Sequence, residues 1–172
     1  MAEFLYSAFY LAELGDRHPP PVHPRFTDMI EYLAGVAPAG RLPGRQHIDP
    51  VDFRHVLNLV NLVDVERGGG EARFRYRLLG ETQTLNAGRD ITGMLVEEAI
   101  APPLAARIAG NMRQVLETRL PVYDRFPMPH PDRDFIDSQR MYYPLAADGE
   151  CINMFLILNG YDADRMAMGR SA

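Results

Sequence analysis

Apolar residues recur along this chain with two periods, and the switch between them marks out its elements. Over residues 74–78 the period is two, with Phe74, Tyr76 and Leu78 on one face and Arg73, Arg75 and Arg77 on the other. That alternation predicts a strand. Residues 60–66 alternate likewise, Val63 and Val65 opposing Asp64 and Glu66, and Gly68-Gly69-Gly70 between the two runs reads as a hairpin turn. Pairing across that turn sets the valines against Phe74 and Tyr76 and the acids against the arginines.

The period changes to helical elsewhere. Residues 3–14 predict a short amphipathic helix, with Phe4, Ala8 and Leu11 on one side and Leu5, Phe9 and Ala12 beside them. The cluster Pro19, Pro20, Pro21 and Pro24 stops it, and a second helix over 26–36 carries Phe26, Met29, Ile30 and Leu33 at i, i+3, i+4, i+7. Asp49-Pro50 is a helix start, Asp as N-cap and Pro in the first turn. Pro102 and Pro103 open the longest helix, ending near Arg119. Leu104, Ile108, Met112, Val115 and Leu116 form its buried stripe, and Arg107, Arg113 and Glu117 are expected to face solvent. Three strands come next, over 122–128, 135–145 and 151–159. The last is apolar on both faces, Ile152, Met154, Leu156 and Leu158 opposing Phe155 and Ile157, and a strand of that kind needs cover on each side. Helices cover one face; the other calls for the N-terminal helices or a second subunit.

Composition narrows the chemistry. At 172 residues the chain supports one domain with extensions and a core that needs neither disulfide nor metal. The net charge of −5 argues against general nucleic-acid binding. All 18 basic residues are arginine, which removes lysine Schiff bases, lysine nucleophiles and a phosphate-loop lysine. The single cysteine, Cys151, allows no intrachain disulfide. The N-terminal stretch makes a poor signal peptide and no apolar run is long enough to span a membrane, so a cytoplasmic, soluble protein is expected.

The element order, two strands, several short helices, one long helix and three strands, resembles the PAS domain. The small stand-alone bacterial PAS proteins are resembled in particular by Arg41-Leu42-Pro43-Gly44-Arg45 with Ile48-Asp49-Pro50, by residues 74–80, by Gly88-Arg89-Asp90-Ile91-Thr92-Gly93, and by Tyr143-Pro144-Leu145 before Asp148-Gly149. The resemblance implies an α+β fold with a five-stranded antiparallel sheet, helices on one face and an N-terminal helical extension. The expected division is 1–54 for that extension, 55–162 for the PAS-like domain and 163–172 for a tail. It further implies a cavity between sheet and helices, dimerisation through the N-terminal helices, and sensing or protein interaction in bacterial signalling rather than catalysis.

Candidate residues fall into several groups. A pocket would use Tyr76, Leu78, Asn86, Arg89, Met112, Tyr142 and Met154, apolar walls with a few polar groups, Arg89 anchoring a carboxylate. Its rival is a purely structural interaction domain whose core those side chains fill. A homodimer would form through Phe4, Leu5, Phe9 and Leu11. The identity of any cofactor is open. Cysteinyl-flavin chemistry is disfavoured because Gly88-Arg89 is followed by Asp90 and Ile91 while Cys151 lies far off, and b-type haem because residues 101–120 hold no histidine. His130-Pro131-Asp132 reads as a solvated turn rather than a metal loop. Arg41 and Arg45 match the RxxxR of cyclic-dinucleotide-binding PilZ domains without the companion motif, so the match is read as accidental, although two arginines in a glycine-proline loop could still hold a phosphate or a partner's acid. The arginine stripe pairs with Asp64 and Glu66 or meets an anionic partner. A small cone-shaped isomerase or dehydratase would need Asp124 or Asp137 beside His55.

Overall fold

The computed structural model describes residues 2–127 and 137–161. Six strands form one sheet: β1 (Leu5–Tyr6), β2 (Val60–Glu66), β3 (Arg73–Leu78), β4 (Val122–Pro127), β5 (Asp137–Leu145) and β6 (Met154–Tyr161), in the order β1-β4-β5-β6-β2-β3. All neighbours are antiparallel except β1 on β4. The helices are α1 (Ala8–Leu14), α2 (Pro24–Val36), α3 (Glu81–Ala87), α4 (Val96–Ala99) and α5 (Pro102–Thr118), with 3-10 turns at Arg45–His47 and Pro50–Leu59.

Both faces of the sheet are covered. On one, Ile108, Met112 and Val115 of α5 and Val96 of α4 pack on Val63, Phe74, Tyr76, Tyr142 and Phe155. On the other, Phe26, Met29 and Leu33 of α2 and Phe53 and Val56 of the 3-10 stretch pack on Leu62, Tyr123, Tyr143 and Leu156. The doubly apolar β6 is thereby explained: Met154, Leu156 and Leu158 face the N-terminal helices, and Phe155 and Ile157 face α5. The second face is closed by the chain's own N-terminal segment. Tyr143 fixes it there, its hydroxyl donating to the Phe26 carbonyl at 2.8 Å.

Several expectations need correction. The sheet has six strands rather than five, because Leu5 and Tyr6 leave the expected helix and extend along β4. The Leu5 amide donates to Pro121 O at 2.8 Å and the Ser7 amide to Tyr123 O at 2.7 Å, so a free sheet edge wins over one helical turn. In α1 Tyr10 is buried, while Phe9 and Leu11 stay 41% and 46% exposed.

The β3 alternation also breaks. Tyr76 pairs with Val63 but Leu78 pairs with Leu62, so Arg77 is an extra residue, a β-bulge. Leu78 thereby passes to the face opposite Phe74 and Tyr76 and lies 44% exposed beside Leu62 and Leu156. Asp49 caps as predicted, accepting from the Val51 amide at 3.0 Å, although the turns it opens are 3-10 rather than α. The last strand starts at Met154, not 151. Met128, Phe135, the 129–133 loop with His130, and the 163–172 tail lie outside the described residues.

The segments that carried the family resemblance turn out to hold one another. Leu42 N donates to Gly149 O at 3.0 Å, Ala146 N to Pro43 O at 2.8 Å, and Arg41 to Asp148 O at 2.9 Å. Gly149 has φ +82°, and a Cβ there would sit 2.8 Å from Arg41 Cδ. Likewise Gly93 N donates to Tyr76 O at 2.7 Å and Tyr76 N to Met94 O at 3.0 Å, tying the Gly88–Gly93 turn to β3.

Candidate functional site

The strand β5 turns Ser138, Arg140 and Tyr142 toward the α5 side of the sheet. Alternation requires it, since Met141 and Tyr143 belong to the opposite core. Their neighbours across the sheet are Phe126, Asp124 and Val122 on β4, and Tyr161, Asn159 and Ile157 on β6. The result is polar where a filled core is apolar. Ser138 and Tyr142 are 1% and 0% exposed, Arg140 9%, Asp124 and Asn159 0%.

Two kinds of polar residue meet here. The first kind is saturated. Both Asp124 oxygens accept two bonds, Oδ1 from Arg107 Nη2 at 2.7 Å and the Arg125 amide at 2.8 Å, and Oδ2 from Arg107 Nε at 2.8 Å and Asn111 Nδ2 at 2.6 Å. The chain continues outward, Ser7 Oγ donating to Asn111 Oδ1 at 2.6 Å and Arg107 bonding Glu13. Expected in solvent, Arg107 is instead only 11% exposed at its side chain. A lone buried carboxylate would cost several kcal/mol, about 3–5 by loss of its partner, so the arginine is drawn in.

The second kind lacks partners. Arg140 Nε, Ser138 Oγ and Asn159 Oδ1 are sealed from solvent and make no hydrogen bond, and the Tyr142 hydroxyl, equally sealed, lies beside Arg140 and Asn111 without a well-formed bond to either. Asp124, directly across from Arg140, has no free lone pair to offer it. Arg140 instead stacks on Phe126, 5.0 Å from the ring centroid, a ring it shares with Arg107 at 5.1 Å. Burial works to lower the Arg140 pKa, but the tyrosine oxygens of Tyr142, Tyr76 and Tyr161 outweigh it, so the guanidinium stays charged. Burial pushes the Tyr142 hydroxyl up to about 12, with Arg140 pulling the other way. Tyr76 is raised by burial as well. At the far end Gln83 of α3 bonds the Tyr161 hydroxyl.

Of the residues expected to line a pocket, Tyr76, Met112 and Tyr142 do share this face of the sheet. Met154 belongs to the opposite core, and Leu78 lines a small apolar cleft of about 60 Å³ on that same opposite side. Asn86 is half-buried, and Arg89 lies on the surface, where it reaches Ala99 O at 3.3 Å. Arg140, Ser138 and Asn159 were not among the residues expected to line a pocket. Ser138, Arg140 and Tyr142 share one face of β5 by their two-residue spacing, and the strand beyond Arg140 carries no further charge.

Other candidates resolve simply. Arg75 and Arg77 pair with Glu66 and Asp64, diagonally across the hairpin rather than with their direct cross-strand neighbours, and Arg73 pairs with Glu97 at 3.0 Å. Arg41 and Arg45 bond backbone carbonyls of their own chain. Asp137 pairs with Arg125 at 2.8 Å, and His55 is exposed, so no carboxylate–histidine pair forms around Asp124, Asp137 and His55. Phe4 and Leu5 are half-buried against their own subunit's cores, and Phe9 lies on α5, where a Cβ on Gly110 would be 2.7 Å from its ring. Among the described residues no group of three His, Cys, Asp or Glu could hold a metal, and no helix is long and apolar enough to cross a membrane.

No curated protein matches the chain. A family model described as a PAS domain matches residues 22–158, from just before α2 into β6. With the β4-β5-β6-β2-β3 antiparallel order, the long α5 crossing one face, and most of the length covered, this chain belongs to the PAS domain family.

Proposed function

We propose that this PAS domain is a sensory or regulatory module that takes a small molecule between α5 and the sheet and passes the result to a protein partner through its N-terminal segment. The observation that carries this reading is the set of orphaned buried polar groups on β5 and β6, which adjoins the hydrogen-bonded chain Asp124–Asn111–Ser7 leading out to that segment. A ligand shifts the arrangement of α1 and β1 against the sheet only if it binds the two arrangements unequally. The half-exposed Phe9 and Leu11 on α1 are the surface we assign to a homodimer or a heteromeric partner. Sensing rather than catalysis fits the saturated state of Asp124 and the surface position of His55.

Native mass spectrometry and an absorbance scan of the protein as purified test the reading. A retained small molecule, released on denaturation, is the expected result. A bare protein that still captures a partner favours the second reading, an interaction domain with a filled core. That alternative has its own support in Phe74, Tyr76, Met112, Tyr142 and Phe155, all at most 3% exposed on the α5 side.

A further inference from the structure

We propose that Arg140 is the anchor of a carboxylate site, so that the small molecule this domain takes is an organic acid carrying one negative charge and an apolar body. The inference rests on the sensory reading above and specifies its ligand. Arg140 is more than nine-tenths buried, its Nε has no partner, and no carboxylate of the described residues pairs with it. An uncompensated buried guanidinium is costly, and proteins retain one where an anion from outside completes it.

The chemistry around it selects the anion. Ser138 Oγ, on the same strand face two residues before Arg140, is a further unpartnered donor, and the Tyr142 hydroxyl, two residues after it, stands beside the guanidinium. Guanidinium and hydroxyls together offer the donors that a carboxylate's two oxygens accept. The Asn159 Oδ1, an acceptor with its amide nitrogen already donating to Leu59 O at 2.8 Å, suits a hydroxyl or N–H elsewhere on the ligand. Arg107, which shares the Phe126 ring with Arg140, is committed to Asp124 and Glu13. One free positive charge answers one negative charge, which disfavours a phosphate dianion. Phe126, Tyr76 and Tyr142 supply aromatic surface for the rest of the molecule.

Thermal unfolding of the full chain with benzoate, hexanoate, their uncharged amides and inorganic phosphate tests this. The two carboxylates should raise the melting temperature by about 3–6 °C at ten times Kd, and the amides and phosphate should not. Arg140→Met should melt no lower than the wild type while losing that shift. Ser138→Ala and Tyr142→Phe, milder changes, should each weaken binding roughly tenfold. Several results overturn the proposal: an unchanged shift in Arg140→Met, a stronger response to phosphate or to the amides than to the carboxylates, or no response in any arm with water alone around Arg140 in a crystal structure. A neutral molecule retained equally by wild type and Arg140→Met would sink the carboxylate site while leaving the sensory reading standing.

Discussion

Asp124 and Arg140 face each other across two strands, and their opposite fates show how much one neighbour decides. The carboxylate receives four hydrogen bonds and is closed to further partners. Removing its guanidinium partner by Arg107→Ala leaves a buried charge held only by Asn111 and one amide. The expected loss is about 3 kcal/mol, read as a lower midpoint in urea unfolding. Tyr142 gives a prediction in pH. Its folded-state pKa is pushed up to about 12, above the ordinary tyrosine value near 10. Below pH ~10 both folded and unfolded chains keep the proton, and the folded state holds its full advantage. As pH rises from ~10 through ~12 the unfolded chain ionises first, and about 2–3 kcal/mol of stability is lost. Urea midpoints measured between pH 8 and 11 should fall for the wild type more steeply than for Tyr142→Phe. At pH 7 the variant should stay within about 1 kcal/mol of the wild type, because the buried hydroxyl it deletes makes no well-formed hydrogen bond.

Among the elements, β1 is the one whose existence depends least on its own residues. Two residues make no stable strand alone; β1 persists because the amides of Leu5 and Ser7 find carbonyls beside β4 and because Ser7, Asn111 and Gln114 bolt it to α5. Ser7→Ala strands Asn111 Oδ1 inside the protein, at about 1–3 kcal/mol. The loss should be local: amide hydrogen exchange at Leu5 and Ser7 should accelerate well before that of β5 or β6, and equal acceleration everywhere would contradict it. The bulge in β3 shows the same dependence on surroundings. A period-two pattern cannot register an inserted residue when the insert is another arginine in an arginine stripe. Placement of Leu78 is therefore decided by its partner Leu62.

For the whole molecule, two layers of helices on one sheet leave few large apolar side chains outside among the described residues. Phe9 and Leu11 are among those that remain half-exposed, and they share the short α1. If the chain dimerises through α1 as proposed, Leu11→Asp should convert the dimer to monomer in sedimentation velocity without lowering the melting temperature appreciably. A dimer that persists in this variant places the interface elsewhere.

The linear order of residues was enough for the class of fold, because its evidence is local. Alternation in 60–66 and 74–78, the proline-led helix at 102, the Asp49 cap and the doubly apolar final strand are each readable within a few positions, and their succession pointed to the PAS architecture. The candidate site was legible only in half. Tyr76, Met112 and Tyr142 could be found as pocket candidates, whereas nothing in the sequence singled out Arg140; it stands out only because Asp124, directly opposite it, is held by Arg107 and Asn111. Which polar groups are paired depends on side chains brought together from α5, β4 and β5, more than ten residues apart. Periodicity carries which way a side chain points; what it meets there is set by packing between elements, and that only the tertiary structure decides.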